Sequence, residues 1–457
     1  MKGRGTRLRR RISLPVGLSG ALLALWPFLG AFGAPTPDGA GTGQGGTALA
    51  AQPLPEGLTL SPPSEVGLSA EGLARATGVL QAHVDAGNIA GVVAAVVRDG
   101  RLVYLEALGS RDLEQRDPMP PDALFRLYSM TRPVTSLAIL MLRDDGLLEL
   151  DDPVQTYLPR FSGQRVLSGP GTTDPSDSRR RDRDVTLGQL LTHTAGIGSR
   201  SASVYRDREV HRWDRSLEEV VDAAAALPLF EEPGTRFRYG MSSEVLGRVI
   251  EVVSGMSLES FLQERIFGPL GMTDTGFHVE AIRRPRLATL YRPGPDGVLA
   301  PFALETIPVT ERRPLASAGV GLVGSTLDFL RFSQLFLDGG VVDGRRLLSP
   351  EGVRLAAENG VPQALLPLGE RGYWGGSGWT MGGMAVVLDP DAYGHTVNRG
   401  EYWWDGSAGT RFWIDPVENM LTIVMAQVSP AGGGGFREEF KSAVYRAIED
   451  SRATPSP

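Results

Sequence analysis

The sequence lacks cysteine and is almost without lysine. Because no thiol is present, disulfide bonds, thiolate nucleophiles and cysteine-ligated zinc are excluded, and an oxidising compartment poses no problem for folding. Of the 46 lysine and arginine residues, only Lys2 and Lys441 are lysines. A lysine general base therefore has almost no candidate position in this chain.

Composition is that of an ordinary globular protein with a sizeable buried core. The 457 residues include 42% hydrophobic and 22% charged residues, and the net charge is -7. Surfaces that bind nucleic-acid phosphates usually carry an excess of cations, so we expect no nucleic-acid partner. The five histidines show no metal-ligand spacing, and we expect neither a metal nor another cofactor.

The amino terminus has the order of a secretory signal. Five arginines between residues 4 and 11 precede an apolar run from Ile12 to Ala34, which Pro15 and Pro27 interrupt. Small residues flank position 32 and again position 49, which predicts a signal peptide over 1–34, or one cleaved near residue 50. An uncleaved single anchor is the alternative and would be the one contact with a membrane. We expect an exported protein, periplasmic or extracellular.

The rest of the chain divides into a leader, one domain and a short tail. Residues 35–66 are rich in Gly, Pro, Ala and Thr without periodicity, which predicts a flexible leader. Residues 451–457 are expected to form a disordered tail. The domain between them, residues 67–450, contains a polar stretch over 168–184 that predicts an exposed loop, because runs of like charge are usually solvated.

Within this domain, strands are predicted at both ends and helices between them. A helical pattern runs from Ser69 to Ala86, and an Asp-Gly turn then joins the apolar runs 91–97 and 102–108 into a hairpin. A second hairpin is predicted over 410–427, before a final helix over 436–448. The pattern favours an α+β fold in which one antiparallel sheet, built from both ends of the domain, is flanked by helices with a helical subdomain beside it.

Ser129 lies at the predicted start of a helix. The segment from Phe125 to Thr135 leads into the apolar run 137–142, which has helical periodicity. Unpaired amides and the positive end of the helix dipole stabilise an alkoxide and a neighbouring oxyanion at such a position. Taken alone, the segment fits a helix cap better than a nucleophile, since serine caps helices very often.

From this point the chain resembles the serine β-lactamase and penicillin-binding-protein superfamily, the S-x-x-K serine hydrolases. In pattern it is most similar to the β-lactamase-like carboxylesterases. The matching motifs are, in chain order, Ser129-Met130-Thr131, Leu148-Glu149-Leu150-Asp151-Asp152-Pro153-Val154, Tyr157-Leu158-Pro159, His193-Thr194-Ala195-Gly196, Pro233-Gly234-Thr235, Gly319-Val320-Gly321-Leu322 and Trp404-Asp405-Gly406. The resemblance covers about residues 65–450 and implies the β-lactamase/transpeptidase-like fold.

The resemblance also implies a role for several residues. Ser129 is the nucleophile, and Tyr239 matches the tyrosine that hydrogen-bonds the nucleophile and carries its proton. The amide of Ser407 would form an oxyanion hole with that of Ser129, and Gly406 would let substrate approach the strand. Trp404 stands where lactamases carry a lysine that holds the β-lactam carboxylate, which favours neutral acyl substrates.

The main departure from the family pattern is Arg132, which occupies the position of the motif lysine. A guanidinium stays protonated in proteins and cannot act as a general base near neutral pH. Tyr239 would then take the serine proton, with Arg132 lowering its pKa. Met241 replaces the polar third residue of the tyrosine motif, a loss for which Ser242 would compensate. His193 is expected to serve a structural turn, with a Ser-His-Asp triad as the alternative.

These observations predict a serine hydrolase of the carboxylesterase type whose activity is weakened by Arg132. Its expected substrate is a small acyl ester, amide or peptide, attacked by Ser129 without a metal or cofactor. Two alternatives remain open. One is a catalytically inert relative that binds a peptide or cell-wall fragment, and the other is a β-lactamase or D-Ala-D-Ala carboxypeptidase.

Overall fold

A computed structural model describes residues 59–452 except 170, 303–306, 370–371 and 431–434. The predicted signal peptide and the leader up to residue 58 lie outside the described residues. The end of the predicted leader and the start of the predicted tail are described: Pro63–Val66 form a 3-10 helix, and Arg452 donates to Asp99. Among the described residues, no helix is long and apolar enough to cross a membrane.

Most strands are short and lie near the two ends of the domain. In chain order they are β1 (Gly91–Arg98), β2 (Arg101–Asp112), β3 (Asp117–Pro118), β4 (Leu124–Arg126), β5 (Arg165–Leu167), β6 (Ser178–Arg180), β7 (Tyr291–Pro293), β8 (Leu299–Pro301), β9 (Val323–Ser325), β10 (Val341–Val342), β11 (Arg345–Arg346), β12 (Ser377–Trp379), β13 (Ala385–Val387), β14 (Tyr402–Asp405), β15 (Thr410–Asp415) and β16 (Met420–Ala426).

The helices fill most of the chain between the first and last strands. The α-helices are α1 (Ala70–Asp85), α2 (Thr131–Asp144), α3 (Leu187–Leu191), α4 (Ser203–Arg206), α5 (Leu217–Ala225), α6 (Ser242–Ser254), α7 (Leu258–Leu262), α8 (Gly268–Leu270), α9 (Thr326–Leu337), α10 (Pro350–Ala357) and α11 (Phe436–Tyr445). The 3-10 helices are Pro63–Val66, Tyr128–Met130, Val154–Thr156, Pro159–Gly163, Ala281–Arg286, Gln363–Leu365, Gly372–Trp374 and Pro390–Ala392, and Gln263–Phe267 form a π-helical turn.

The main sheet joins the two ends of the domain. Within the described residues it has eight antiparallel strands in the order β12-β13-β14-β15-β16-β1-β2-β3. β1 pairs on one side with β2 and on the other with β16, so the two predicted hairpins lie next to each other, as the sequence indicated. Strands β12 to β14 extend the sheet further, and β14 contacts the 3-10 turn Tyr128–Met130.

Helices cover both faces of this sheet. Along β15, Phe412 contacts Phe329 of α9, and the next residue, Trp413, lies near Lys441 of α11. Successive side chains of a strand point to opposite faces, so α9 and α11 lie on opposite sides of the sheet. This explains why every residue of β15 and β16 is buried. The fold is the predicted α+β arrangement of an antiparallel sheet flanked by helices.

The helical subdomain is centred on α6, against which α2, α3, α5 and α7 pack. One prediction about this part was only partly right: most described residues of 168–184 are exposed, as expected, but they do not form a loop throughout. The stretch 168–184 contains β6, which pairs with β5 through Val166 and Arg179. Arg181 is buried. Its guanidinium donates to the carbonyl oxygens of Phe161 (2.6 Å) and Gln164 (3.2 Å), at the end of the 3-10 helix Pro159–Gly163.

Candidate active site

Ser129 lies in the 3-10 turn directly before α2. The backbone of Tyr128 adopts a left-handed φ of 49°, which turns the chain sharply before the nucleophile position. The turn is held from both sides, because Leu127 N donates to Leu322 O (2.9 Å) and Leu322 N donates to Thr131 Oγ1 (3.1 Å). Ser129 itself keeps partial contact with solvent. The position therefore combines a fixed backbone with access from outside.

The end of β14 packs directly on this turn through Gly406. A Cβ atom at Gly406 would overlap the carbonyl oxygen of Leu127, two residues before Ser129. The fold therefore needs glycine at this position for the approach of its own backbone, and the role in substrate approach stays a prediction. Ser407 follows in the turn between β14 and β15, with its side chain exposed. Trp404, which precedes them on β14, is buried.

Tyr239 is carried by the loop before α6 and held by the turn that contains His193. Arg238 N donates to His193 O (2.7 Å), and Met241 N donates to Gly198 O (3.0 Å). A Cβ atom at Gly240 would lie 2.5 Å from the carbonyl oxygen of Ile197, so glycine is required between the tyrosine and the helix. The two motifs that the sequence separates by more than 40 residues thus form one backbone unit.

The phenol of Tyr239 faces the nucleophile. The Ser129 hydroxyl and the Trp404 indole N–H lie close enough to act on its pKa as hydrogen-bond donors. Among the described residues, however, no partner of Tyr239 Oη has the length and angle of a regular hydrogen bond. The three groups are therefore adjacent but not aligned, as is common in sites without substrate.

Burial dominates the acidity of this phenol. It raises the pKa of Tyr239 above the ordinary value, while the charge of Arg132 and the neighbouring Ser129 and Trp404 lower it only in part. The expectation that Arg132 lowers the pKa is confirmed in direction, but the net shift is upwards. Tyr239 is therefore protonated near neutral pH.

Arg132 bridges α2 to the tyrosine loop. Its Nη1 donates to Gly240 O (2.8 Å) and to Ser243 Oγ (3.0 Å), and its guanidinium carbon lies 4.2 Å from the centre of the Tyr239 ring. The side chain of α6 that accepts a hydrogen bond from Arg132 is thus that of Ser243. The compensation by Ser242 stays a prediction, and its buried hydroxyl has no hydrogen-bond partner within the described chain.

Glu244, one turn into α6, brings a carboxylate to the same place. It accepts hydrogen bonds from Ser317 Oγ (2.5 Å) and Ala318 N (2.8 Å), and His211 Nε2 lies 3.5 Å away. Burial alone would raise the pKa of Glu244, but the neighbouring His211, the hydrogen bond from Ser317 and the charge of Arg132 hold it below the usual value. A buried carboxylate thus faces the permanent charge of Arg132.

Aromatic rings from β12, β14 and the loop before α6 form an apolar wall around Tyr239. Trp379 and Trp404 meet at right angles with ring centres 4.4 Å apart, and Tyr239 lies 5.3 Å from Trp404. The other rings of this cluster are Phe237, Tyr373, Trp374 and Trp403. The wall gives the site a largely apolar lining on the side of the sheet.

His193 is buried against this wall and forms no triad. Its ring centre lies 4.7 Å from that of Tyr239, and its backbone φ of 54° places it in a tight turn. Burial, and then the charge of Arg132, lower the pKa of His193 well below its ordinary value. Within the described ranges, Nδ1 has no hydrogen-bond partner, and no group of three or more acidic or histidine side chains is arranged to hold a metal.

Comparison with known sequences agrees with this arrangement. The sequence profile of the family described as Beta-lactamase matches residues 76–443, most of the chain. The chain belongs to the β-lactamase family.

Relatives of this β-lactamase-family chain include esterases. Esterase EstB from Burkholderia gladioli is 30% identical over 416 residues, which cover 84% of this chain and 98% of that protein. Lovastatin esterase from Penicillium rubens is 29% identical, with 80% and 96% covered. The solved structure of EstCE1, described as a hydrolase with promiscuous acyltransferase activity, is 27% identical and superposes with a TM-score of 0.71 over 82% of this chain and 99% of that one. These relatives support a hydrolase-type enzyme.

Three residues of this β-lactamase-family site were missed by sequence reasoning. Trp379 lies in a Gly-rich stretch without periodicity, and nothing local indicates its contact with Trp404. Glu244 had a usable signal, since an acidic residue on the buried face of a helix usually has a polar partner. Arg200, whose charge acts on Arg132 and Tyr239, falls in a polar loop where arginine is common.

Proposed function

We propose that this chain hydrolyses small acyl esters through an acyl-enzyme on Ser129. The observation that carries the proposal is the meeting of three groups at the amino end of α2: the Ser129 hydroxyl, the Tyr239 phenol and the Trp404 indole N–H. A nucleophile, a proton carrier and a further donor are what acyl transfer requires. The esterase relatives support the choice of ester substrates.

The chemical steps follow from these positions. In molecules in which Tyr239 is ionised, Ser129 Oγ attacks the ester carbonyl carbon while its proton passes to the Tyr239 phenolate oxygen, and the amides of Ser129 and Ser407 bind the oxyanion. Tyr239 returns the proton to the alkoxide as the bond between carbonyl carbon and alcohol oxygen breaks. Water then attacks the acyl-enzyme by the same route, which releases the acid and restores Ser129.

Arg132 has a positioning role in this scheme. Its guanidinium lies against the Tyr239 ring and fixes the loop through Gly240 O, and its charge favours the phenolate. Near neutral pH few molecules carry the Tyr239 phenolate, so this tyrosine is a less effective base than a neutral amine would be. We therefore propose slow turnover of esters, with weak or no action on penicillins and D-Ala-D-Ala peptides, since Trp404 supplies no cation for their carboxylates.

The deciding experiment compares 4-nitrophenyl acetate and butyrate with a chromogenic cephalosporin, using wild type, Ser129→Ala and Ser64→Ala. Ser129→Ala should lower ester turnover by about 10⁴-fold or more, the loss typical of a missing nucleophile. Ser64→Ala, an exposed serine remote from the site, is the matched control and should behave as wild type. Faster turnover of the cephalosporin would replace the esterase proposal by the β-lactamase alternative.

Labelling with a fluorophosphonate separates a weak enzyme from an inert one. A covalent adduct on the Ser129 peptide, absent from folded Ser129→Ala, is expected for the hydrolase. No adduct and no ester turnover in folded wild type would favour the binding-protein alternative.

We also propose that the protein is exported, on the strength of the amino-terminal sequence. Sequencing the amino terminus of the protein purified from cells tests this point. Cleavage near residue 34 or residue 50 is expected, and an intact Met1 in the soluble cytoplasmic fraction would contradict it.

A further inference from the structure

Three side chains of the aromatic wall keep contact with solvent. Phe237 and Trp374 are partly exposed and Tyr373 is 46% exposed, whereas Trp379 and Trp404 of the same wall are 0% and 2% exposed. The three exposed rings are neighbours, because the ring centre of Trp374 lies 5.2 Å from that of Phe237 and 5.0 Å from that of Tyr373. Together they form a continuous, partly exposed edge of the wall, the aromatic rim.

The aromatic rim is held by both sides of the site. Phe237 belongs to the loop before α6, which also carries the catalytic tyrosine. Trp374 ends the 3-10 helix Gly372–Trp374, and β12 begins three residues later. The Tyr373 hydroxyl donates to Asp405 Oδ1 on β14 (2.8 Å). The sheet edge and the tyrosine loop therefore fix the three rings.

Trp374 connects this rim to the reacting groups. Its ring centre lies 6.0 Å from that of Tyr239, and it lies 5.7 Å from that of Trp404 with an angle of 31° between the planes. Ser129 and Tyr239 are themselves partly exposed. An apolar surface that a fold leaves open beside its reactive groups is typical of a ligand contact.

The alcohol part of an ester is the group that passes this surface. In the proposed reaction Tyr239 returns its proton to the alcohol oxygen, so that oxygen comes within about 2.6–3.2 Å of the phenol oxygen. The carbonyl oxygen turns instead to the amides of Ser129 and Ser407. The carbon group on the alcohol oxygen therefore lies beside Tyr239, where Trp374 is the neighbouring partly exposed ring.

We infer that Trp374, with Phe237 and Tyr373, forms a subsite for an aromatic alcohol part of the ester substrate, an inference that rests on the proposed esterase function. An aromatic group fits because rings pack on one another edge to face or offset, which adds to the gain from burying apolar area. Trp374 is then a specificity-determining residue, while Ser129 and Tyr239 keep their roles in the chemistry.

The test compares benzyl acetate with ethyl acetate, whose alcohols differ little in acidity, in a pH-stat. Wild type should hydrolyse benzyl acetate with a kcat/KM about ten-fold above that of ethyl acetate, because the ring is buried against the rim. Trp374→Leu should lower this benzyl-to-ethyl ratio about five-fold, and Trp374→Phe, which keeps a ring, should retain most of it. A merely structural loss lowers both rates equally and leaves the ratio unchanged.

Two comparisons check that the subsite is local and that it binds the alcohol part. Tyr157→Leu removes a partly exposed ring outside the aromatic wall and should keep the wild-type ratio. Ethyl phenylacetate carries its ring on the acyl part, so Trp374→Leu should affect it less than benzyl acetate. Equal kcat/KM of the two acetates in wild type, a benzyl-to-ethyl ratio in folded Trp374→Leu within two-fold of wild type, or a larger loss for ethyl phenylacetate would overturn the inference.

Binding separates a failed subsite from a failed esterase. If wild type hydrolyses none of the three esters, the proposed function fails, and saturation-transfer NMR with benzyl acetate and folded Ser129→Ala decides the subsite. Binding that Trp374→Leu in the same background weakens about five-fold or more supports it. No binding, or equal affinity with and without Trp374, overturns it.

Discussion

Two buried arginines, Arg98 and Arg132, differ in how completely their guanidinium groups are bonded. Arg98 is 0% exposed and donates from Nε to Glu418 O (3.3 Å), from Nη1 to Val66 O (2.6 Å) and from Nη2 to Glu418 Oε2 (2.7 Å). Arg132 is 7% exposed, and its hydrogen bonds within the described residues all come from Nη1. Its Nε has no partner there.

The difference separates a structural charge from a functional one. Arg98 joins the end of β1 to the turn after β15, to the first 3-10 helix and to Asp450 near the carboxyl end. Around Arg132, in contrast, Tyr239 Oη and Trp404 Nε1 lack regular partners as well, within the part of the chain that is described. Unsatisfied buried polar groups are rare in native proteins, and groups held out of their ordinary state gather at functional sites. The comparison therefore supports the proposed site beside Arg132 without reference to any motif, although buried Arg411 also has an Nε atom without a partner in the described chain.

The largest effect that sharpens this comparison is expected at Arg98. Arg98→Met removes one partner of the buried ion pair with Glu418, a change that typically costs about 3–5 kcal/mol of unfolding free energy. Arg452→Met is the matched control, since it removes an exposed arginine that pairs with the neighbouring Asp99 and should cost under about 1 kcal/mol. Urea unfolding measures both. Similar losses of unfolding free energy in the two variants would show that the buried ion pair of Arg98 adds no more stability than an exposed one.

The pH dependence of ester hydrolysis gives the next largest effect. In the proposed mechanism the base is the Tyr239 phenolate. Burial raises the pKa of that phenol, so the phenolate fraction increases about ten-fold for each pH unit below the pKa. We expect kcat/KM to rise about 100-fold between pH 7 and pH 9 without levelling. Rates of Ser129→Ala at each pH correct for spontaneous hydrolysis. A plateau below pH 8 would show a different base.

Sequence reasoning succeeded where the signal is local. The Ser69 cap predicted α1, whose first turn it closes by accepting from Gly72 N (3.2 Å), and the Asp99-Gly100 turn predicted the hairpin of β1 and β2. Strands of three residues, such as β12 and β13, are too short to show a period of two, and they were not predicted. Ser129 and Tyr239 were selected through a family resemblance, since nothing local distinguishes a nucleophile from a helix cap.

Groups that act through distant partners could not be predicted. Glu244 is held by Ser317 and Ala318, which lie more than 70 residues away, and Arg200 is notable only because no side chain of the described residues pairs with it. Absence of a partner has no signature in a sequence. It becomes visible only when the folded structure shows which carboxylates already bind other donors.

The smallest effect that sharpens the comparison concerns Arg132→Lys. A lysine in this position would lie in a buried site beside Tyr239 and Arg200, where burial and a like charge favour the neutral amine, while Glu244 opposes this. A neutral amine accepts the Ser129 proton directly, which a guanidinium cannot do. We expect kcat/KM for short esters at pH 7 to rise about five-fold, less than the full gain from a well-placed base because the hydrogen bonds to Gly240 O and Ser243 Oγ are lost.

Arg98→Lys is the matched control for this substitution, because it makes the same exchange at a guanidinium that structure alone requires. It should lower stability without raising kcat/KM, whereas Arg132→Lys should flatten the alkaline rise in the pH profile as the amine replaces the phenolate as base. An unchanged rate and an unchanged profile in folded Arg132→Lys would mean that the site no longer depends on a base at this position. The unpaired atoms around Arg132 would then serve only to bind a ligand, which is the alternative of a catalytically inert protein that binds a peptide or cell-wall fragment.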